Sequence, residues 1–180
     1  YKRLVFTSQI FKLMQNWRFL KENVLFFDGS WRDVYVQNVQ VTDWQKWVEY
    51  VNRTYRVEWY NGLTELIETQ INFEVIRQYW EGEHDLCSSG SVFLNTIKLN
   101  VHFSDEEEIG NDQDPDDFKG IEDHHCLMNY LIGVSHLLER SVVVTPENLS
   151  TCILVKVDAE NIEIPVDVNP PKFPSVPYQG

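Results

Sequence analysis

The chain has 180 residues and a formal net charge of −13, so at neutral pH it repels nucleic-acid phosphates and anionic membrane surfaces. Its content of 43% hydrophobic and 13% aromatic residues excludes a disordered chain and indicates one domain with a packed core. Cys87, Cys126 and Cys152 are widely spaced and form no CxxC pair, which favours reduced thiols over a zinc or disulfide framework. We therefore predict a cytoplasmic protein that binds neither nucleic acid nor membranes.

The N-terminal residues 1–23 are predicted to form a basic amphipathic helix, capped by Thr7 or Ser8. Its apolar positions recur at helical spacing and are Ile10, Leu13, Met14 and Trp17. Residues 1–21 hold five basic residues and no acid. We expect this helix to pack on its own domain with its basic face in water, and docking on a membrane surface is the alternative.

Residues 24–164 are predicted to form a single α+β domain, in which a mostly antiparallel sheet is covered by two or three helices. An apolar run at 24–27 and an alternating run at 32–39 flank the turn sequence Asp28-Gly29-Ser30, which predicts a hairpin. A helix at about 42–53 follows, with Thr42 and Gln45 in the positions of a capping box. Its buried stripe would consist of Trp44, Trp47, Val48 and Val51.

In the middle of the chain, apolar and polar residues alternate with a period of two. Residues 54–60 alternate and precede Asn61-Gly62, a strong turn sequence for a hairpin. Residues 64–82 favour a helix over a strand, and residues 91–103 predict one long strand. The buried face of this strand would be formed by Phe93, Ile97, Leu99, Val101 and Phe103, and its polar face by Thr96, Lys98, Asn100 and His102.

The C-terminal part is predicted to contain the longest helix, at 121–140, and two further strands, at 142–144 and 153–157. Glu122 and Asp123 lie at the positive end of this helix dipole and Arg140 at its negative end. The apolar face of the helix would be formed by Leu127, Leu131, Val134 and Leu138. Residues 165–180 contain five prolines and are predicted to form an extended tail.

The segment 105–123, which we call the acidic belt, departs furthest from ordinary globular composition. It holds ten carboxylates and one basic residue, Lys119, and so carries about −9 of the net charge. The carboxylates belong to Asp105, Glu106, Glu107, Glu108, Asp112, Asp114, Asp116, Asp117, Glu122 and Asp123. The belt lies between the predicted strand at 91–103 and the helix at 121–140, which indicates a solvated but structured connection.

The acidic belt predicts a non-enzymatic binding protein that docks on a basic surface of a partner protein, since an acidic patch accelerates encounter with such a surface. The contacts would come from Asp105, Glu106, Glu107, Glu108, Asp112, Asp114, Asp116 and Asp117. Immunity proteins that neutralise nucleases often have this charge balance. One alternative is assembly, in which the basic helix lies on the belt of its own or a neighbouring subunit and gives a homo-oligomer.

A second alternative is a divalent-metal-binding protein or a metal-dependent hydrolase. Asp112, Asp114 and Asp116 have the alternate spacing of a calcium loop, and Asp123 stands at position twelve when Asp112 is counted as the first. Carboxylates are the ligands that calcium and other hard divalent cations prefer. The pattern departs from a calcium loop at Asp117, which stands where that loop requires glycine.

No catalytic motif accompanies the belt. The sequence contains neither a GxSxG elbow nor a glycine-rich phosphate loop. A hydrolase would use His102 or His125 with an aspartate, but adjacent helical residues such as His124 and His125 point in different directions. Cys126 lies near acidic residues that would raise the pKa of its thiol. These patterns predict a protein without catalytic residues.

Several stretches together resemble a family of small uncharacterised bacterial proteins. They are Gly29-Ser30-Trp31-Arg32-Asp33-Val34-Tyr35-Val36, Asp43-Trp44, Asn100-Val101-His102-Phe103, the aspartate-rich run to Asp114-Pro115, and Thr145-Pro146-Glu147-Asn148. The resemblance covers roughly residues 24–157 and leaves the basic helix and the proline-rich tail outside it. It implies an immunity or accessory role beside a toxin or effector.

Overall fold

The structure, a computed structural model, describes residue 17 and residues 19–164. Most of the predicted basic helix at 1–23 and all of the predicted tail at 165–180 lie outside the described residues. Within the described part, residue 17 and residues 19–23 are helical. Leu20 and Val24 are buried in the main hydrophobic core.

One antiparallel sheet organises the described part of the chain and confirms the predicted α+β class. Its nine strands are β1 (Arg32–Gln37), β2 (Arg56–Asn61), β3 (Leu66–Glu68), β4 (Ser89–Leu94), β5 (Ile97–His102), β6 (Glu108–Gln113), β7 (Val142–Pro146), β8 (Val155–Asp158) and β9 (Asn161–Glu163). In space they follow the order β3-β2-β4-β5-β6-β1-β7-β8-β9. Strand β6 therefore lies at the centre of the sheet.

Three helices, α1 (Val41–Thr54), α2 (Phe73–Trp80) and α3 (Ile121–Leu138), form a layer on one face of this sheet. The predicted stripe of α1 and the predicted apolar face of α3 are both buried, which confirms these two patterns. Helix α3 ends two residues before the predicted position, because Glu139 adopts a left-handed φ of 54° and caps it. None of the helices in the described ranges is long and apolar enough to cross a membrane.

The N-terminal cap of α1 differs from the predicted one. The helix begins at Val41, and its N-cap is Gln40 rather than Thr42. The backbone N–H of Gln40 donates to Oδ2 of Asp43 at 3.1 Å, and Nε of Arg140 donates to the same oxygen at 3.0 Å. A carboxylate buried at the helix start thus takes the place of the expected hydroxyl cap.

The predicted hairpin between 24–27 and 32–39 is wrong. Strand β1 pairs with β6 and β7, and residues 24–27 form no strand. The cause is Arg32, whose side chain is fully buried. Its guanidinium donates to the carbonyl of Val24 at 2.6 Å and to that of Phe26 at 3.0 Å. These carbonyls therefore bind a side chain instead of a neighbouring strand.

The predicted strand at 91–103 is two strands, β4 and β5, joined by the two-residue turn Asn95-Thr96. Asn95 has a φ of 60°, which asparagine tolerates better than most residues. From Ile97 onward the predicted buried and polar faces are confirmed. Phe93 was assigned to the wrong face, because the turn resets the alternation: it lies opposite the core, where the guanidinium of Arg56 stacks 3.4 Å from its ring centroid.

The remaining predictions are confirmed in part. The turn at Asn61-Gly62 does join two strands, β2 and β3, although the loop contains four residues because Asn61 pairs with Leu66. The segment 64–82 contains the predicted helix, α2, but begins with β3. The two strands predicted after α3 are β7 and β8, and β9 was not predicted.

A chain of hydrogen bonds through the core ties β6 to two helices. Nε1 of Trp47 donates to the hydroxyl of Tyr130 at 3.1 Å, and that hydroxyl donates to Oδ1 of Asn111 at 2.9 Å. Trp47 lies on α1, Tyr130 on α3 and Asn111 on β6, and all three side chains are buried. A buried polar group is stable only when it is hydrogen-bonded, so this chain fixes how the helices sit on the central strand.

We expect Tyr130→Phe to lower the free energy of unfolding by about 2–3 kcal/mol, because it leaves the indole N–H of Trp47 and the amide oxygen of Asn111 buried without partners. Urea denaturation measures this change. The control is Tyr60→Phe, since the hydroxyl of Tyr60 makes no hydrogen bond to the described residues, and its effect should stay within roughly 0.5 kcal/mol. Equal stabilities of the two variants would contradict the structural importance of the chain.

Candidate functional site

The acidic belt, predicted to be a solvated but structured connection between a strand and a helix, contains a strand of its own, because its middle forms the central strand β6. Alternate side chains of β6 point to opposite faces of the sheet. Ile109, Asn111 and Gln113 point to the core and are buried. Glu108 and Asp112 point to the opposite face, which we call the open face because no described helix packs on it.

Asp112 lies at the middle of the open face and is held by two side chains of β5. Its Oδ1 accepts a hydrogen bond of 2.7 Å from Nδ2 of Asn100, and its Oδ2 is bonded to Nε2 of His102. Asn100 lies directly opposite Asp112 in the β5–β6 ladder, and Asp33 of β1 lies opposite it on the other side. The register of three strands therefore assembles this cluster.

Asp33 is the buried member of the cluster, with 7% of its surface exposed. Its Oδ2 accepts hydrogen bonds from the hydroxyl of Tyr35 at 2.7 Å and from the backbone N–H of Asn148 at 2.8 Å. Burial raises the pKa of Asp33 despite these two bonds, and the charges of Asp112 and Glu147 raise it further. Burial and the contact with Asp33 also raise the pKa of Tyr35.

The third titratable side chain of the cluster is the imidazole of His102. Its hydrogen bond with Asp112 raises its pKa above the ordinary 6.5, against the opposing effect of burial. The side chain remains 57% exposed, so the imidazole can exchange protons with solvent. The open face thus combines two facing aspartates with one histidine that favours its charged form.

The N-terminal end of the belt displays its carboxylates to solvent. Asp105, Glu106 and Glu107 are all exposed. The backbone beneath them is fixed, because the carbonyl of Glu106 accepts a bond of 3.1 Å from Nε1 of Trp44 and the carbonyl of Glu107 accepts one of 3.0 Å from the N–H of Val39. This loop therefore presents three acidic side chains on a rigid backbone.

The C-terminal end of the belt uses its carboxylates to shape the chain after β6. Oδ1 of Asp114 accepts a bond of 2.8 Å from the N–H of Asp116, and Asp116 forms an ion pair of 2.9 Å with Lys119. Oδ2 of Asp117 accepts a bond of 3.1 Å from the N–H of Lys98. These three aspartates support the 3₁₀ turn Pro115–Asp117, and of the three only Asp116 is exposed.

Asp123 has a structural position at the start of α3. Its carboxylate accepts bonds from the hydroxyl of Thr96 at 2.5 Å and from the N–H groups of Gly120 and Lys119 at 3.0 Å each. Burial disfavours its charge, but these hydrogen bonds outweigh burial and lower the pKa of Asp123. The carboxylate therefore caps the helix from a buried position.

The four predicted metal candidates are not brought together. Asp112 lies on the open face, Asp114 and Asp116 form the 3₁₀ turn, and Asp123 caps α3. The calcium-loop spacing fails because Asp112 belongs to an extended strand. Across residue 17 and residues 19–164, no three histidine, cysteine, aspartate or glutamate side chains are arranged to hold a metal ion.

The histidines are also separated. His102 lies on the open face, whereas His125 lies on α3 in the helical layer, with its Nδ1 3.9 Å from Oε2 of Glu122. The constellation of His102, His125 and an aspartate therefore does not form. Burial and the nearby Asp123 and Glu122 raise the pKa of Cys126, which confirms the expected direction.

Asp33 and Tyr35 were not predicted as site residues, whereas Asn100 and His102 were placed on a polar face. A signal was present, because both residues alternate with Val34 and Val36 in the predicted strand. Their proximity to Asp112 depends on the pairing of β1 with β6, which are separated by seventy or more residues.

The fold and this cluster define a single-domain α+β protein whose open sheet face carries two facing aspartates and a histidine. No protein-family model matches the chain, and no curated protein and no solved structure matches it either. The resemblance to small bacterial proteins therefore remains a prediction.

We expect nuclear magnetic resonance titration to give His102 a pKa above 6.5, and Asp112→Asn to lower it, because the carboxylate stabilises the imidazolium. The pair stabilises the fold fully below the unfolded pKa of about 6.5 and loses this effect as the pH rises through the folded pKa. The control is Asp116→Asn, which removes a belt carboxylate bonded to Lys119. The same His102 midpoint in all three proteins would contradict the pairing.

Proposed function

We propose that the protein is a non-enzymatic binding protein that presents the acidic belt to a basic surface of a partner protein. The single observation that carries this proposal is that the belt runs through the central strand of the sheet. The carboxylates are therefore fixed along a line, with the 105–107 loop at one end, Glu108 and Asp112 on the open face, and the 3₁₀ turn at the other end.

The spacing of these carboxylates supports a partner surface that is elongated. Six residues of β6 span roughly 20 Å at about 3.4 Å per residue. Lys119 is bonded to Asp116 at the far end, whereas the side chains of Glu106 and Glu107 make no ion pair or hydrogen bond within the described part of the chain. Their charge is thus available to a basic partner, where it would steer encounter and select orientation.

The particular form we propose is an immunity-like or accessory role, in which the belt covers a basic surface of a toxin or effector. The resemblance at residues 24–157 and the charge balance support it. Rigidity supports it as well, since carboxylates held by a sheet lose less conformational entropy on binding than those of a mobile loop.

We expect neutralisation of the exposed loop (Asp105→Asn, Glu106→Gln and Glu107→Gln together) to weaken binding to immobilised poly-L-lysine. Each rim charge contributes roughly 0.5 kcal/mol at low salt, so the loss should be about tenfold. Biolayer interferometry at low and high salt measures it, and high salt should remove most of the difference.

The matched control neutralises three exposed carboxylates elsewhere, with Glu49→Gln, Glu139→Gln and Asp158→Asn. Both triple variants change the formal charge from −13 to −10, so only the position of the charge differs. Equal weakening by the two variants would show that net charge, rather than the belt, attracts the basic probe.

The assembly alternative uses the same carboxylates and makes a different prediction. Under our proposal, light scattering gives the mass of one chain at both low and high salt. An oligomer that dissociates at high salt would instead favour the basic N-terminal segment lying on the belt of another copy.

A further inference from the structure

A second surface lies at the edge of the sheet and is apolar. Ten large hydrophobic side chains are exposed among the described residues, and four of them lie around β3. They are Leu63, Leu66, Ile67 and Leu86, with exposed fractions of 53%, 63%, 74% and 47%. We call this group the β3 patch. Such a concentration of exposed apolar groups is typical of an interaction site.

The members of the β3 patch are held together by close backbone packing. A Cβ atom placed on Gly62 would lie 2.1 Å from the carbonyl oxygen of Leu86, so only glycine fits at this position. The N–H of Gly62 also donates to Oγ of Ser88 at 3.1 Å. The loop that carries Leu63 is therefore attached to the segment that carries Leu86.

The backbone of β3 is also open on one side. Within residues 19–164, β3 is the terminal strand of the sheet and pairs with β2 alone. Edge strands are usually protected by charged side chains such as lysine, by proline, by a bulge or by being very short. β3 has three residues and ends in Glu68, so its protection comes from short length and one carboxylate. Residues 62–70 contain no lysine and no proline, and the first two of the three residues of β3 are leucine and isoleucine. The edge can thus accept another strand.

Charge indicates which kind of strand would fit. Residues 57–76 and 78–97 contain no lysine or arginine, although they include Glu65, Glu68, Glu83 and Asp85 beside the β3 patch. The intervening Arg77 is bonded to Glu74 and Glu81. Glu65 and Glu68 thus flank the apolar edge, and neither forms an ion pair within the described residues, although Glu68 accepts a hydrogen bond of 2.7 Å from Asn61.

We propose that β3 binds an extended segment of a partner protein in which apolar residues alternate with lysine or arginine. The segment would add to the sheet as a further strand, with its apolar side chains on Leu66 or Ile67 and its cations beside Glu65 and Glu68. A second copy of this chain fits poorly, because two β3 strands would bring these glutamates together across the interface. Four strand spacings, about 19 Å, separate this edge from β6, so the site is distinct from the acidic belt.

The test uses a fluorescent peptide of alternating lysine and valine, and the same peptide with its central valine replaced by proline. Both peptides carry the same charge, but proline removes a backbone donor and prevents continuous pairing. We expect the first peptide to bind the whole chain at least about tenfold more tightly than the second in fluorescence anisotropy, since strand addition depends on backbone hydrogen bonds.

Two single variants locate the binding. Ile67→Lys introduces a cation on the edge of the sheet. It should weaken the binding of the lysine–valine peptide by about tenfold, because the new lysine repels the lysines of the peptide. Leu149→Lys adds the same charge at an exposed leucine far along the chain and should leave the affinity within about twofold. Thermal unfolding checks that both variants remain folded.

Three outcomes would overturn the proposal: equal affinity for the two peptides, equal effects of the two variants, or a dimer of the wild-type chain that Ile67→Lys dissociates. The last outcome would identify a second copy as the occupant. The result is independent of the proposed belt function, because the 105–107 triple variant leaves β3 unchanged and should still distinguish the two peptides.

Discussion

The position of the acidic strand β6 depends on the hydroxyl of Tyr130. This hydroxyl accepts a bond from Trp47 and donates one to Asn111, and so joins both long helices to the polar inner side of the strand. A segment with few apolar residues cannot hold a central place by burial alone. The buried hydrogen bonds supply the specificity that hydrophobic packing of Ile109 does not provide.

This anchoring explains why the outer side of β6 can be acidic. With the strand fixed from within, Asp112 is placed between Asn100 and Asp33. The cost of two facing aspartates is reduced by the bond between His102 and Asp112 and by the hydrogen bonds that Asp33 accepts from Tyr35 and Asn148. The same strand holds the 105–107 loop at its start, where the carboxylates are exposed. The inner side of β6 thus packs in the core, and its outer side carries acidic side chains.

The periodicity of apolar residues predicted the elements whose buried side can be recognised from consecutive residues alone. The stripes of α1 and α3 and the alternation from Ile97 to Phe103 are patterns of buried residues, and each is confirmed. β6 escaped prediction because Glu108, Gly110 and Asp112 have low strand propensity, and the strand forms only between β5 and β1. Arg32 likewise binds carbonyls that no sequence pattern identifies. For the candidate site, the position of His102 on a polar face was predictable. Its contact with Asp112 was not, because that contact depends on the register of β5 against β6.

We propose that β6 and its flanking loop display one acidic surface to a basic partner. Amide chemical-shift mapping with poly-L-lysine on isotope-labelled protein tests this most directly. We expect the largest shifts at 104–113 and in the facing residues of β1 and β5, with small shifts in the core side of α1 and α3. Shifts concentrated in the helical layer, with 104–113 unchanged, would contradict it.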